Sequence, residues 1–364
     1  SWGGNSRRNA RMSDLKTAPV SLGGVRYAGG EEWKCVETSG YSSLIAVDTL
    51  EAIIIVSSVD PEFSWLRSSA CWQDVGTVSP FRMVNLRWFG YMPNDAADNT
   101  PALNAAIAIA NMSGFTTIVV PFGIGRIGAC NPIIKSEVRF KAEGAQGHSV
   151  MKGTASTMLQ WGDDAANVIA GGGCDYIAFQ GSGVLSQRLI RCENSGDLAF
   201  NSCKIDLGVA TLMQCGKVGD GGYVSNIHWS NLTGRCPNIA APLFVLTNGS
   251  GFFITGSLFY NEAYQGGGSA VDGRYGVFVN NSWNTISIKS TFTFLFDIML
   301  YAYMQNGMSC GDVHLESCYF DETNAGVWLT ALPGGAIGNV SILNVETTGK
   351  KGAAIRVDGG GTFT

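Results

Sequence analysis

Four carboxylates in the second half of the chain have the residue type and the spacing that acid–base chemistry needs. Glu262 follows one apolar segment, Asp321 and Glu322 follow another at almost the same offset, and Asp272 lies between them. Two carboxylates that face one site raise the proton affinity of one of them, so that one can act as acid and the other as base. We therefore take these four as catalytic candidates. The alternative interpretation is that each is a solvated surface charge, and the sequence leaves both open.

The insertion that carries Asp272 also contains side chains able to bind a ligand. Residues 263–275 form the longest excursion from the local pattern and include Tyr264, Arg274 and Tyr275. Long loops on a rigid scaffold are where binding residues concentrate. Tyrosines offer ring faces, and a guanidinium can bind an acidic group or orient Asp272. We predict a binding groove that this loop walls.

These residues belong to a repeated pattern that runs from about Cys174 to Asp358. Each unit reads as apolar, any, apolar, two of any kind, a small residue or Cys, any, apolar, at intervals of 21 to 34 residues. Alternation on both sides of a two-residue break predicts strand, tight corner, strand. Such a unit cannot bury its apolar face alone, so units must stack into a parallel β-helix. The segments begin at Ile177, Leu198, Ile227, Phe252, Ile286, Val313 and Val340.

The same register makes two structural predictions. The seven first residues of the segments should form one inward stack, with each side chain above its counterpart one coil earlier. Lys289 and Glu316 should be outward neighbours on adjacent coils, and so should Phe292 and Tyr319.

Composition narrows the class of protein. Charged residues make up 15% of the 364 residues, 48 are glycine, and the formal net charge is −5. Few charges and many glycines indicate an all-β chain with tight corners, and the charge predicts no nucleic-acid binding. The longest apolar run, Ala52 to Val56, is too short to span a membrane. The ten cysteines lack a C-x-x-C spacing, and Cys203 and Cys318 share an inward position, so we predict buried free thiols and no metal or cofactor.

A block before the repeat has its own signature. Residues 83–127 read as strand, polar turn, helix and strand. The helix is predicted over about 100–113, with Thr100 as N-cap, Pro101 in the first turn and Gly114 as the stop. Leu103, Ile107 and Ala110 form one apolar stripe, with Ala106 beside them.

This block resembles the opening of pectate-lyase-like β-helix proteins, and in particular bacteriophage tailspikes. The matching residues are Trp88-Phe-Gly, Asp95 with Asp98-Asn-Thr, the Ala-rich helix and Ile118-Val-Val-Pro-Phe-Gly. The chain departs from the family at Asn94-Asp-Ala-Ala, and at Asn99 where a second Asp is common. In the family these aspartates order the turn before the helix, and the helix covers the open end of the solenoid. The resemblance covers residues 83–127, and the coils extend it to residue 358.

The resemblance implies a function and a location. It implies a phage tailspike that recognises and cleaves a bacterial surface polysaccharide, as a glycoside hydrolase or a lyase. It also implies a homotrimer, made in the host cytoplasm, whose N-terminal region docks onto other tail proteins and which is extracellular in the virion tail. Tyr264 and Tyr275 would then face sugar rings, and Arg274 would bind an acidic sugar.

The spacing of the coils is compatible with a catalytic pair formed by Glu262 and one of Asp321 and Glu322. The two carboxyl groups of a glycosidase lie roughly 5 to 9.5 Å apart. Coils are about 4.8 Å apart, so Glu262 and the 321–322 pair, two coils apart, come within reach of each other.

Two other functions stay open. The first is a non-catalytic adhesive or structural tail protein. The second is a secreted bacterial polysaccharide lyase, which the lack of a signal segment at the start and the residues before the helix disfavour.

The domain organisation follows from these elements. We predict an extended arm or connector over 1–30 and a small β-rich domain over 31–80, which contains Trp33, Trp65 and Trp72. The β-helix domain with its capping helix is predicted over 81–364.

Overall fold

A computed structural model describes residues 11–70, 83–113, 116–129, 132–135, 137–163, 169–206, 208–217, 222–323, 325–349 and 354–363. Gly114 and Trp72 lie outside these residues, and so do the predictions made for them.

Three parallel sheets wind together into a β-solenoid, which confirms the predicted fold class. Sheet 1 has thirteen strands: Met83–Asn85, Thr116–Val120, Val138–Ala142, Ile169–Ala170, Gly173–Asp175, Ser195–Asn201, Val224–Ser230, Gly249–Thr255, Trp283–Lys289, Ser309–Glu316, Ala336–Ile337, Val340–Leu343 and Thr362–Phe363. Sheet 2 has ten: Asn94–Asp98, Gly123–Ile127, Ser149–Gly153, Ile177–Gln180, Lys204–Ile205, Thr233–Cys236, Leu258–Asn261, Phe292–Phe294, Tyr319–Thr323 and Glu346–Gly349. Sheet 3 has eight: Leu159–Trp161, Arg188–Cys192, Thr211–Cys215, Phe244–Leu246, Tyr275–Val279, Ile298–Met304, Ala325–Ala331 and Ile355–Asp358.

The inward stack of sheet 1 forms as predicted for six of the seven segments. The first residues of successive segments pair with each other on adjacent strands, in the order Leu198, Ile227, Phe252, Ile286, Val313 and Val340. The first five are fully buried, whereas Val340 on the terminal coil is 39% exposed.

Ile177 is the exception and corrects the first unit. It is buried, but it lies in sheet 2, where it pairs with Ser149. In sheet 1 the same coil contributes Cys174, which pairs with Phe200, the third residue of the next unit and not its first. Strands before and after a corner alternate with the same period of two, so alternation alone did not distinguish them.

Seven corners between sheets 1 and 2, from Tyr176 onward, are each made by a residue in the left-handed region, with φ between 47° and 62°. In the six units whose register was predicted correctly, this residue occupies the fifth position, within the two-residue break of the sequence pattern. One left-handed residue turns the chain sharply without lengthening the loop, so the strands on either side keep their register. The residues are Tyr176, Ser202, Asn231, Gly256, Ser290, Ser317 and Asn344.

The N-terminal part forms a four-stranded antiparallel sheet in the order Val25–Ala28, Glu31–Glu37, Phe63–Arg67, Ile54–Val56. Two short helices accompany it, α1 (Ser13–Lys16) and α2 (Ser42–Val47). Short 3₁₀ helices cover Thr38–Tyr41, Ser68–Ala70, Leu86–Phe89 and Glu262–Gly266. Leu15 and Ala28 are buried in this unit. Residues 11–30 therefore pack with the N-terminal sheet; the sequence prediction over 1–30 was an extended arm or connector.

Helix α3 (Thr100–Ser113) covers the end of the solenoid, and its predicted stripe is buried. Asp98 accepts hydrogen bonds from the backbone N–H and the hydroxyl of Thr100, and Asp95 forms an ion pair with Lys152. These aspartates are structural, as expected. The Thr100 hydroxyl itself accepts from Gly128 N–H, so it binds the neighbouring coil and does not cap the helix.

Eight cysteines in the described part of the chain are buried with free thiols, including Cys203 and Cys318 as predicted. Among the described residues, no helix is both long and apolar enough to cross a membrane.

Candidate functional site

The predicted site lies on the corner where sheet 2 leads into sheet 3. The chain leaves sheet 2 after Asn261, forms the 3₁₀ turn Glu262–Gly266, and enters sheet 3 at Tyr275. The side chain of Asn261 donates to Asn238 Oδ1 at 2.7 Å, and its own oxygen accepts from Ala263 N–H at 3.1 Å.

Asn238, from the preceding coil, anchors the rest of the loop. Its Oδ1 accepts from Val271 N–H at 3.0 Å, and its Nδ2 donates to the carbonyl oxygen of Ser269 at 3.0 Å. Because both ends of the loop are bonded to one asparagine of the scaffold, the loop is held in a defined position.

Glu262 and Asp321 lie on the sheet 2 side of this corner, with one coil between them. Asp321 pairs with Phe294, which pairs with Tyr260, so Asp321 is two coil steps from the strand that leads to Glu262. The ring of Tyr264 packs on Phe294, with ring centroids 4.9 Å apart. Aromatic side chains thus occupy the space between the two carboxylates.

Both carboxylates also have local partners. Glu262 is exposed and accepts weakly from Asn238 N–H at 3.3 Å. Asp321 accepts from the hydroxyl of Thr348 on the next coil. The backbone of Glu322 lies in the strand Tyr319–Thr323, and its side chain is outside the described part of the structure.

Asp272 and Tyr275 come together on the sheet 3 side with Asp297, which the sequence analysis did not single out. Asp297 is 8% exposed and accepts from Gly273 N–H at 2.8 Å. Burial raises the pKa of the Tyr275 phenol, and the charges of Asp297, Tyr301 and Asp272 raise it further. Asp297 directly precedes the strand Ile298–Met304, which enters sheet 3 at the same corner one coil later. This position in the repeat is the feature of the sequence that could have identified Asp297 as a site residue.

Arg274 does not face this site. Its side chain is fully buried inside the solenoid, where Nη1 donates to the carbonyl oxygens of Ala210 and Ala241 at 2.6 and 2.5 Å. Nη2 donates to Val209 at 3.4 Å, and Cζ lies 5.8 Å from the centroid of Phe296. A side chain enclosed in this way has no surface for a polysaccharide, so we leave Arg274 out of the proposed site.

The corner combines a proton donor with proton acceptors. The Tyr275 phenol is protonated at neutral pH, as an ordinary tyrosine phenol is, so it can donate a hydrogen bond to a ligand oxygen. Asp272 is exposed nearby and can accept a proton. In the described part of the chain, no cluster of His, Cys, Asp and Glu has the grouping needed to hold a metal ion.

Outward aromatic rings cover sheet 2 beside the corner. Phe292 and Tyr319 are neighbours on adjacent coils with centroids 6.3 Å apart, as predicted. Phe294 lies 6.1 Å from Tyr319, and Tyr260 lies 6.4 Å from Tyr264. Together these rings form a partly exposed aromatic surface that spans three consecutive coils.

Sheet 1 carries a separate shallow groove of about 270 Å³. Lys289 and Glu316 line it and form an ion pair of 2.9 Å on adjacent strands, which confirms the predicted register. His314 and Phe253 also line it, and Phe253 stacks on the exposed ring of His228 at 4.5 Å.

Comparison with known proteins identifies the class of fold. No protein-family model and no curated protein matches the sequence. Among solved structures, the tailspike protein of Acinetobacter baumannii phage AM24 matches with a TM-score of 0.66 and 13% identity over 95% of this chain and 55% of that chain. ORF18 of Geobacillus virus E2 matches with a TM-score of 0.52 and 15% identity over 77% of this chain and 60% of that chain.

These likenesses show the fold, because the identities are low. The chain is a parallel β-helix protein with the fold of a phage tailspike. It spans 55% and 60% of the lengths of the two structures it matches.

Proposed function

We propose that this protein is a tailspike-like component of a phage virion tail that binds and cleaves a bacterial surface polysaccharide. The observation that carries the proposal is the corner between sheets 2 and 3. There Asp272, Asp297 and Tyr275 come together at the loop that also carries Tyr264, whose half-buried ring packs on Phe294. The fold likeness to a phage tailspike supports it.

Either cleavage chemistry can use this corner. Hydrolysis and β-elimination both need one group that protonates the departing oxygen and one that accepts a proton. Tyr275 and Asp272 fit these two roles, and Asp297 orients the loop through Gly273. Glu262, Asp321 and Glu322 are the alternative set on the sheet 2 side. Tyr264 and its neighbours supply ring faces on which sugars can stack.

The test is release of oligosaccharides from purified O-polysaccharides and capsular polysaccharides of a bacterial strain panel. We expect Asp272→Asn or Tyr275→Phe to lower turnover by about 100-fold or more, because each removes a proton-transfer group. Glu262→Gln, Asp321→Asn and Glu322→Gln report on the alternative set. Glu316→Gln on sheet 1 is the matched control and should keep wild-type turnover. If every corner variant also keeps it, the catalytic site lies elsewhere.

A non-catalytic adhesive is the second candidate function. It is favoured by the aromatic rings that separate Glu262 from Asp321. In that case the wild-type protein binds a polysaccharide of the panel and releases no oligosaccharide.

The proposal includes a homotrimer attached to other tail proteins through the N-terminal region. Leu258 and Phe292 on sheet 2 are 44% and 45% exposed, and exposed apolar side chains grouped on one face suit a subunit interface. Light scattering at trimer mass over micromolar concentrations supports this part, and monomer mass contradicts it.

A further inference from the structure

Sheet 3 carries a line of aromatic side chains that the proposed site does not use. Phe278, Tyr301 and Trp328 occupy one outward position on three consecutive coils. Ring centroids are 5.4 Å apart for the first pair and 5.1 Å for the second. We call these three residues the aromatic column.

The aromatic column is not part of the core. The residues on either side of each ring point inward and are buried, as Val277 and Val279 are around Phe278. The rings themselves are partly exposed. At the same position in earlier coils the chain has Arg191, Gln214 and Val245, so stacking of the solenoid does not require an aromatic residue here.

Polar groups border the aromatic column. The guanidinium of Arg356, one coil further, lies 4.0 Å from the ring centroid of Trp328. Asp358 accepts from Trp328 Nε1 at 2.9 Å and from Arg356 Nε at 2.7 Å. Tyr303 lies 6.0 Å from Tyr301. The surface is therefore a row of rings with hydroxyl, indole and charged groups along it.

We propose that the aromatic column is a second polysaccharide-binding surface, which holds a stretch of the glycan chain along the solenoid axis outside the cleavage corner. The inference rests on the proposed function, since it concerns the same polymer. Phe278 stacks on Tyr301 and the Arg356 guanidinium covers Trp328, so the column presents ring edges to a sugar, whose hydroxyls bond to the polar groups beside them. One coil step is close to the length of one pyranose unit, so a straight row of rings suits a linear polymer of sugars.

The chemistry of the aromatic column favours a glycan over a second copy of this chain. The exposed sheet 2 residues Leu258 and Phe292 have no polar side-chain atom, which suits a protein interface. Tyr301 and Trp328 combine ring area with a polar atom. The Arg356–Asp358 ion pair adds charged groups that a buried protein interface would have to desolvate.

The test compares binding of long and short glycans. The probes are the polysaccharide of the panel that the wild type binds best and an oligosaccharide of two repeating units made from it. We expect Trp328→Leu and Arg356→Ala to weaken polymer binding by about 3- to 10-fold each, because each removes a side chain of the proposed binding surface. Turnover of the short oligosaccharide should not change. Phe122→Leu removes an exposed ring distant from sheet 3 and is the matched control.

A second measurement uses a variant that keeps an aromatic ring at position 328. Polymer binding should quench or shift the fluorescence of Trp328, seen as the difference between wild type and Trp328→Phe. Polymer affinity equal to wild type in both Trp328→Leu and Arg356→Ala overturns the inference while leaving the proposed function intact. A change of oligomeric state in these variants also overturns it, because the aromatic column is then a subunit interface. A wild-type protein that binds no polysaccharide of the panel overturns the proposed function and this inference with it.

Discussion

Arg274 is a charged side chain that the solenoid keeps in its interior. In the sequence it stands in a polar loop between Asp272 and Tyr275, where an exposed ligand-binding role is the natural interpretation. In the fold, the strand Tyr275–Val279 begins directly after it, and its side chain turns inward to three backbone carbonyls of the preceding coils. The orientation of one side chain at a strand entrance depends on the backbone there, which composition and spacing do not specify.

We predict that Arg274→Ala lowers the free energy of unfolding by about 3 kcal/mol or more, since it leaves buried carbonyls unpaired and opens a cavity. Chemical denaturation measures this. Arg188→Ala is the matched control, because Arg188 also donates to two carbonyls but is half-buried, and it should cost about 1 kcal/mol or less. Equal costs for the two variants would contradict the structural role of Arg274.

Corners are the elements on which the register of the solenoid depends. Seven coils turn between sheets 1 and 2 through one left-handed residue, and in most of them that residue is not glycine. A side chain in this conformation costs roughly 1 kcal/mol, because its Cβ crowds the backbone. Serine at three of these corners, Ser202, Ser290 and Ser317, carries that strain.

We predict that Ser317→Gly raises the free energy of unfolding, by up to about 1 kcal/mol, because glycine adopts φ of 53° without crowding. The matched control is Ser309→Gly, at an exposed position in a regular strand. This substitution should lower the free energy of unfolding by about 0.5 to 1 kcal/mol. Thermal unfolding of both variants gives the comparison. A loss of stability at Ser317 similar to that at Ser309 would show that its corner carries no strain.

The N-terminal unit and the solenoid form a continuous structure in the described residues. Leu44, Ile53 and Leu66 of the N-terminal unit belong to the same apolar cluster as the solenoid core. Arg67 joins the two parts, since its guanidinium carbon lies 4.5 Å from the ring of Trp33 and 4.7 Å from that of Trp88. Burial lowers the pKa of Arg67 to about 10, so the side chain stays charged at neutral pH.

We predict that Arg67→Ala lowers the stability of the whole molecule by about 2 to 4 kcal/mol, because it removes two cation–π contacts and the hydrogen bond to the Ala52 carbonyl. It should also make residues 11–70 easier to remove by limited proteolysis. Calorimetry and a proteolysis time course test both effects. Arg87→Ala is the control, because its ion pair with Glu143 is exposed and should contribute under about 1 kcal/mol. Unchanged proteolysis of Arg67→Ala would mean that other contacts hold the N-terminal unit.

The sequence by itself determined the repeated coil, the capping helix and most of the register. Apolar alternation across a short break specifies which faces must be buried, and stacking aligns those faces from coil to coil, as Lys289 and Glu316 show. It did not determine the phase of the first unit, because strands on both sides of a corner alternate alike. Ile177 was predicted in the stack of sheet 1, but it lies in sheet 2.

Only the tertiary structure decided how the corner between sheets 2 and 3 is arranged. It brought Asp297 next to the Asp272 loop, placed Tyr264 and Phe294 between Glu262 and Asp321, and turned Arg274 inward. It also aligned Phe278, Tyr301 and Trp328 into one column. The physical reason is that irregular corners and strand entrances follow no period. The contacts of their side chains depend on which residues of adjacent coils meet them, and this is known only once the coils are stacked.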